Sequence, residues 1–162
     1  TGFTSPTSRS YGKEMKDEEI SLSFDHYLLF TKDLKKTVEW YSDVLGIKPG
    51  PTPNFDVPVH WLYLKDQPII HAAERNPDNE IESYIGKVDY QEEAGSGLID
   101  HIAFNSTGLT KMLERLDKLG VEYTEHRVDT DSRYQIFFFD PNGVKIELDF
   151  KASEVGDRLA PS

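Results

Sequence analysis

A chain that writes one pattern twice is restricted to folds built from two like modules. Ser23-Phe24-Asp25-His26-Tyr27-Leu28-Leu29-Phe30 is echoed by Leu98-Ile99-Asp100-His101-Ile102-Ala103-Phe104-Asn105. Each is an apolar, strand-like run that carries Asp-His and leads into a helical pattern. A further potential ligand lies on an apolar run late in each copy: His71 follows His26 by 45 positions, and Glu147 follows His101 by 46. A duplicated unit with one donor at each end of each copy can bring four donors to one point, so the spacing predicts a metal site.

The elements around these donors repeat as well. Asp33 caps a helix with apolar positions Leu34, Val38, Tyr41 and Leu45, closed by Gly46. In the second copy Ser106 or Thr107 is expected to cap, Leu109, Met112, Leu113, Leu116 and Leu119 form the buried stripe, and Gly120 ends the helix. Each helix then gives way to extended segments and a hairpin. Trp61 to Leu64 turns through Lys65-Asp66-Gln67-Pro68 into Ile69-Ile70-His71, and Tyr134 to Phe139 turns at Asp140-Pro141-Asn142-Gly143 into Val144 to Phe150. Both copies read β-α-β-β-β, an α+β class with mostly antiparallel sheets. The expected organisation is a flexible arm over 1–21, a single domain over 22–150 and a tail over 151–162. Within the domain, module one is 22–73, a polar linker is 74–97 and module two is 98–150.

Composition limits the partners. Eighteen Lys and Arg against 29 Asp and Glu give a net charge of −11, which repels nucleic-acid phosphates and anionic lipid surfaces. No run approaches the roughly 18 apolar residues of a membrane span. With no cysteine there are no disulfides, and no charged, apolar leader opens the chain, so the expectation is cytoplasmic, with a small molecule as partner.

Because strand side chains alternate faces, donors on the inner faces of first and last strands can meet across a curved sheet. Two histidines and a carboxylate with open positions form the set that non-haem Fe(II) oxygenases use, and His26, His101 and Glu147 supply it. Trp61, Tyr63, Phe55 and Tyr134, near the expected mouth, suit an apolar or aromatic substrate. Arg133 and Gln135 suit a polar substrate group, since a guanidinium pairs well with carboxylate. His60 and His126 lack a counterpart in the repeat and are read as surface or loop residues.

Phe24-Asp25-His26-Tyr27, Asp33-Leu34, Trp40-Tyr41, Val44-Leu45-Gly46, Asp100-His101-Ile102-Ala103-Phe104 and Phe139 to Leu148 together resemble the vicinal oxygen chelate superfamily. That group holds the glyoxalases, the fosfomycin- and bleomycin-resistance proteins and the extradiol dioxygenases. The resemblance covers about residues 22–150. It implies paired βαβββ modules forming a cupped sheet around a metal pocket, often completed in a homodimer, with ligands at the ends of first and last strands. His26, His101 and Glu147 match the usual ligand positions, whereas His71 stands where glyoxalase I-like members commonly carry Glu.

Coordination arithmetic separates the expected reactions. Four ligands on an octahedral ion leave room for two substrate oxygens, which favours isomerisation, epimerisation or lyase chemistry. With His71 outside the ligand set, three sites remain for a catecholate and O2, and a neutral His71 can move protons. The fourth position being His, the first expectation is an extradiol-type dioxygenase holding one divalent transition metal, Fe(II) before Mn, Ni or Zn. The glyoxalase-type alternative comes second, and a non-catalytic binder of small molecules such as antibiotics third.

Overall fold

The computed structural model describes residues 23–55, 57–74, 94–97, 99–128 and 132–155. The expected N-terminal arm, residues 75–93 of the linker and the end of the tail lie outside them.

The first module runs β1 (Tyr27–Thr31), α1 (Leu34–Trp40) continued by a wide π turn (Tyr41–Leu45), β2 (Lys48–Pro49), β3 (Val59–Leu64) and β4 (Gln67–Glu74). The second runs β5 (His101–Asn105), α2 (Leu109–Lys118), β6 (Tyr123–Val128), β7 (Arg133–Phe139) and β8 (Lys145–Lys151). The described residues therefore form two four-stranded mixed sheets, ordered β1-β4-β3-β2 and β5-β8-β7-β6. In each, the first strand pairs in parallel with the last and the other two pairings are antiparallel. The parallel pairing follows from the helix, since a strand can lie parallel to a later one only through a long crossover.

Period-two alternation sorts each sheet into a helix side and an open side. Leu29, Leu62, Ile70 and Ala72 from the first sheet join Tyr134, Ile136, Phe138, Ile146, Leu148 and Phe150 from the second in one apolar cluster. The π turn after α1 contributes Tyr41 and Val44, and α2 contributes Leu109, Leu113 and Leu116, so the modules share a core. Polar links between the modules reinforce it, among them a bond from the Asn142 side-chain amide to Thr37 at 3.1 Å. Tyr41 donates to Asp140 at 2.8 Å, Thr31 donates to Asn142 at 2.7 Å, and Arg115 donates to the Val44 carbonyl at 3.1 Å. Asp140 also accepts from the Asn142 and Val144 amides, both at 2.8 Å, so one buried carboxylate organises the β7–β8 turn and ties it to the π turn after α1.

Helices α1 and α2 start differently. Asp33 caps α1 as expected, accepting from the Lys36 amide at 2.9 Å, and left-handed Gly46 ends the π turn. At α2 neither Ser106 nor Thr107 is the cap. Gly108, at φ 82°, occupies that position, and the Glu154 carboxylate accepts from the Gly108 and Leu109 amides at 2.7 and 3.0 Å. A local pattern search misses a cap delivered from 46 positions downstream. Leu119 lies past the end of α2 and is exposed, so the buried stripe ends at Leu116. The tail boundary also moves, because Lys151 completes β8 and Val155 is buried in the shared core.

Candidate metal and substrate site

The open side of the first sheet carries rings and aliphatic groups. Cross-strand register sets Leu28 beside His71 beside Trp61, and Phe30 beside Ala73 beside Val59. Val57 and Ala73, with Leu28, Phe30, Phe55 and Val59, form a small apolar cluster separate from the main core. His26, just before β1, stacks on His71 with centroids 3.7 Å apart and planes at 15°. Trp61 stacks on the other face of His71 at 4.2 Å and 4°. His71 is thus the middle ring of three. Burial, and then the neighbouring His26, hold its pKa below the ordinary imidazole value, so it is neutral near pH 7. Its Nε2 is buried and has no hydrogen-bond partner among the described residues.

The open side of the second sheet is charged. Glu147 sits on β8 between Ala103 of β5 and Phe137 of β7, and its carboxylate lies 2.6 Å from His101 Nε2. Gln135 donates to its other oxygen at 2.7 Å. Burial, and then the nearby Asp149 carboxyl, raise the Glu147 pKa, while His101 and Gln135 pull it back.

The duplication extends to what holds each histidine. Asp25 is hydrogen-bonded to His26 Nδ1, and Asp100 to His101 Nδ1 at 2.8 Å, which leaves Nε2 to present in both. Lys145 grips Asp100 through both oxygens at 3.2 and 3.0 Å. Bonds to His101 and then Lys145 keep the Asp100 carboxyl below its usual range. A carboxylate on the far nitrogen fixes the imidazole tautomer and ring direction, the support that metal-binding histidines usually have. Two imidazoles so oriented, a desolvated carboxylate and an orphaned imidazole nitrogen suit a divalent transition cation.

One chain does not bring the whole set together. His26 lies with His71 and His101 with Glu147, and among the described residues no group of three or more His, Asp or Glu side chains is placed to hold a metal ion. The stack adds a further constraint. A ring nitrogen's lone pair lies in its ring plane, so nearly parallel rings direct theirs alongside one another and not toward a shared point.

Among the aromatic residues, Phe55 and Trp61 do share the open face, at 6.4 Å. Tyr63 instead lies against Gly50, where a Cβ would meet the ring at 2.7 Å, and donates to the Pro51 carbonyl. Tyr134 does not line the mouth. It is 0% exposed on the helix side, its hydroxyl bonded to Glu125, because alternation from Arg133 and Gln135 turns it inward. Arg133 and Gln135 are on the open face. His126, read from sequence as a surface or loop residue, is on it too, hydrogen-bonded to Gln135 at 3.2 Å and so one amide away from Glu147. The alternation of Tyr123–Val128 is the signal that could have placed it.

The Glyoxalase/Bleomycin resistance protein/Dioxygenase superfamily matches the chain over residues 23–148. The metallothiol transferase FosB of Lysinibacillus sphaericus is 31% identical over 145 residues, covering 85% of this chain and 86% of that protein. Among solved structures, the fosfomycin resistance protein FosX of Listeria monocytogenes superposes with a TM-score of 0.59 at 20% identity, over 81% of this chain and 94% of its own. Lactoylglutathione lyase of Agrobacterium tumefaciens gives 0.60 at 14% identity, over 81% and 95%. The chain belongs to this superfamily, whose vicinal-oxygen-chelate architecture its paired βαβββ modules reproduce. No described helix is long and apolar enough to cross a membrane.

Proposed function

We propose that the protein is a metal-dependent enzyme that binds two adjacent oxygens of a small electrophile and catalyses non-oxidative addition, with a thiol as the candidate nucleophile. The observation that carries this reading is the split donor set: Asp-braced His26 on one open face, and Asp-braced His101 with Glu147 on the other. A homodimer that sets the first module of one copy against the second module of another joins them into one site. Phe24 and Ile99, 66% and 65% exposed immediately before the two Asp-His pairs, offer apolar surface for that contact. His26, His101 and Glu147 would hold one divalent ion, which supplies Lewis acidity toward the substrate oxygens.

The remaining roles belong to the chain's own side chains. Gln135 fixes the Glu147 carboxylate, and His126 fixes Gln135. His71, held neutral between two rings, takes the thiol proton. The sulfur then bonds to the electrophilic carbon as a carbon–oxygen bond breaks, and the released oxygen is finally protonated. Trp61, Phe55 and Leu28 give the substrate an apolar wall and exclude water. The relative named a metallothiol transferase favours this chemistry over ring cleavage.

Extradiol cleavage stays as a second reading on one observation. The stacked His71 leaves a set of three donors, and that opens positions for a catecholate and O2. Anaerobic thiol consumption with an electrophile panel that includes fosfomycin, under Mn(II), Ni(II), Zn(II) and Fe(II), tests the first reading. Oxygen uptake with catechols under Fe(II) tests the second, and activity only there overturns the first. Mixing inactive His26→Ala and Glu147→Gln chains should restore part of the activity, since one site of the mixed dimer is intact. No recovery on subunit exchange rejects the shared site.

A further inference from the structure

His26 and His101 hold matching places in the repeat, but the strands beside them hold them by different means. In the second module His101 pairs with Lys145, whose ammonium grips Asp100. In the first, the β1–β4 ladder begins at Tyr27 and Ile70, so Ser23 to His26 lie ahead of it. The β3–β4 register slips at this point: Leu62 pairs with Ile70 and Tyr63 with Pro68, which leaves Ile69 without a partner on β3 and buried in the shared core. Ile69 thus stands where Lys145 stands in the second copy, and a buried isoleucine cannot hold a carboxylate.

Gln67 takes over that task from another direction. Pro68 has no N–H with which to continue the ladder toward the residues ahead of β1. Gln67 Nε2 donates to them instead, to the Phe24 carbonyl at 3.0 Å and the Asp25 carbonyl at 2.8 Å. A primary amide carries two N–H groups, one for each carbonyl. Its own backbone is well anchored, because Gln67 closes the β3–β4 hairpin opposite Leu64, across a two-residue turn in which Lys65 takes φ 55°. The two carbonyls belong to the residues immediately before His26, whose ring stacks on His71 at 3.7 Å. Rotation of the backbone at Asp25 would swing that ring off the stack.

We propose that Gln67 is a positioning residue for His26: by bridging the Phe24 and Asp25 carbonyls it fixes the backbone from which the imidazole projects, and so places Nε2 for the cation of the proposed reaction. The part that concerns the cation rests on the proposed function. The placement of the ring does not, and it can be tested alone. Asp25 directs the ring from its Nδ1 side, and Gln67 fixes the stretch of chain that carries both. Equivalent histidines are therefore braced by a lysine on the carboxylate in one module and by an amide on the backbone in the other.

The test compares the unmodified full chain with Gln67→Met, which keeps the length and removes both donors, and with Gln67→Lys, which keeps a donor of similar reach. Histidine ring NMR is recorded first, on protein stripped of metal with a chelator. Stacking on His71 displaces the His26 ring protons upfield. In Gln67→Met they should move back toward the unstacked position while the His101 ring signals stay in place, and Gln67→Lys should retain the upfield shift. His26 signals that Gln67→Met leaves unmoved overturn the assignment, and so does a displacement shared equally by His26 and His101, which marks general loosening. Mn(II) affinity, read by electron paramagnetic resonance, should then fall about tenfold or more in Gln67→Met. An unchanged affinity with a displaced ring rejects the link to the cation. Absence of Mn(II) binding in the unmodified protein rejects the enzyme reading instead, and leaves the ring signals to decide the role of Gln67.

Discussion

The two modules share a backbone plan and differ in what they show on their open faces. The first presents a ring stack, Trp61 on His71 on His26, over an apolar floor of Leu28, Phe30 and Ala73. The second presents charged groups along its length, Lys145 and Glu147 beside His101, then Asp149 and Arg133 toward the other end of the strands. Their helix sides, by contrast, merge into one core. Duplication followed by divergence therefore kept what buries apolar surface and the Asp-His braces, and changed the faces that meet a ligand. One half supplies shape and low polarity, and the other supplies charge.

The sharpest test of that division is metal affinity. His101→Ala and Glu147→Gln should each lower Mn(II) affinity by about 100-fold or more, because donors are lost directly. His71→Ala, which removes the middle ring of the stack, should lower it by less than about tenfold. Equal losses at all three positions would show four donors on the ion and erase the distinction between the faces.

Next in size is the joint between the modules. Asp140→Ala strips acceptors from Tyr41, Asn142 and Val144 and should cost about 3 kcal/mol in urea unfolding, with Tyr41→Phe costing about 1–2. A neutral Asp140→Ala would mean that the shared apolar core alone joins the halves. The caps give a smaller comparison. Asp33→Ala and Glu154→Ala should each cost about 1 kcal/mol, although one cap is local and the other arrives from the end of the chain. If Glu154→Ala leaves the melting temperature unchanged, the second helix owes nothing to that carboxylate.

The smallest effect at neutral pH grows in alkali. Burial raises the pKa of Tyr27 and of Tyr41 above the ordinary tyrosine value of about 10, so the folded state holds their protons more tightly than the unfolded state. Their contribution is fully present below pH about 10 and is lost as pH rises further. A melting temperature that stays flat well past that value would contradict it.

Much of the architecture was legible because it is local. Asp33 and Gly46 mark the ends of the first helical segment, Asp140 to Gly143 marks a turn, and the repeated Asp-His runs mark two like modules. Gly108 and Glu154 were not legible, since the amides of α2 are satisfied by a residue brought back by the fold. Tyr134 was misplaced for a related reason. An aromatic residue near a site reads as lining, and only the strand phase turns it into the core.

The sequence by itself determined the duplicated βαβββ plan and the residue types available as donors, because periodicity and spacing along the chain encode both. Tertiary structure alone decided that His26 stacks on His71 while His101 meets Glu147, and that Gln67 reaches the Phe24 and Asp25 carbonyls. Such pairings depend on strand register and on the packing of one module against the other, which bring together residues far apart in the chain.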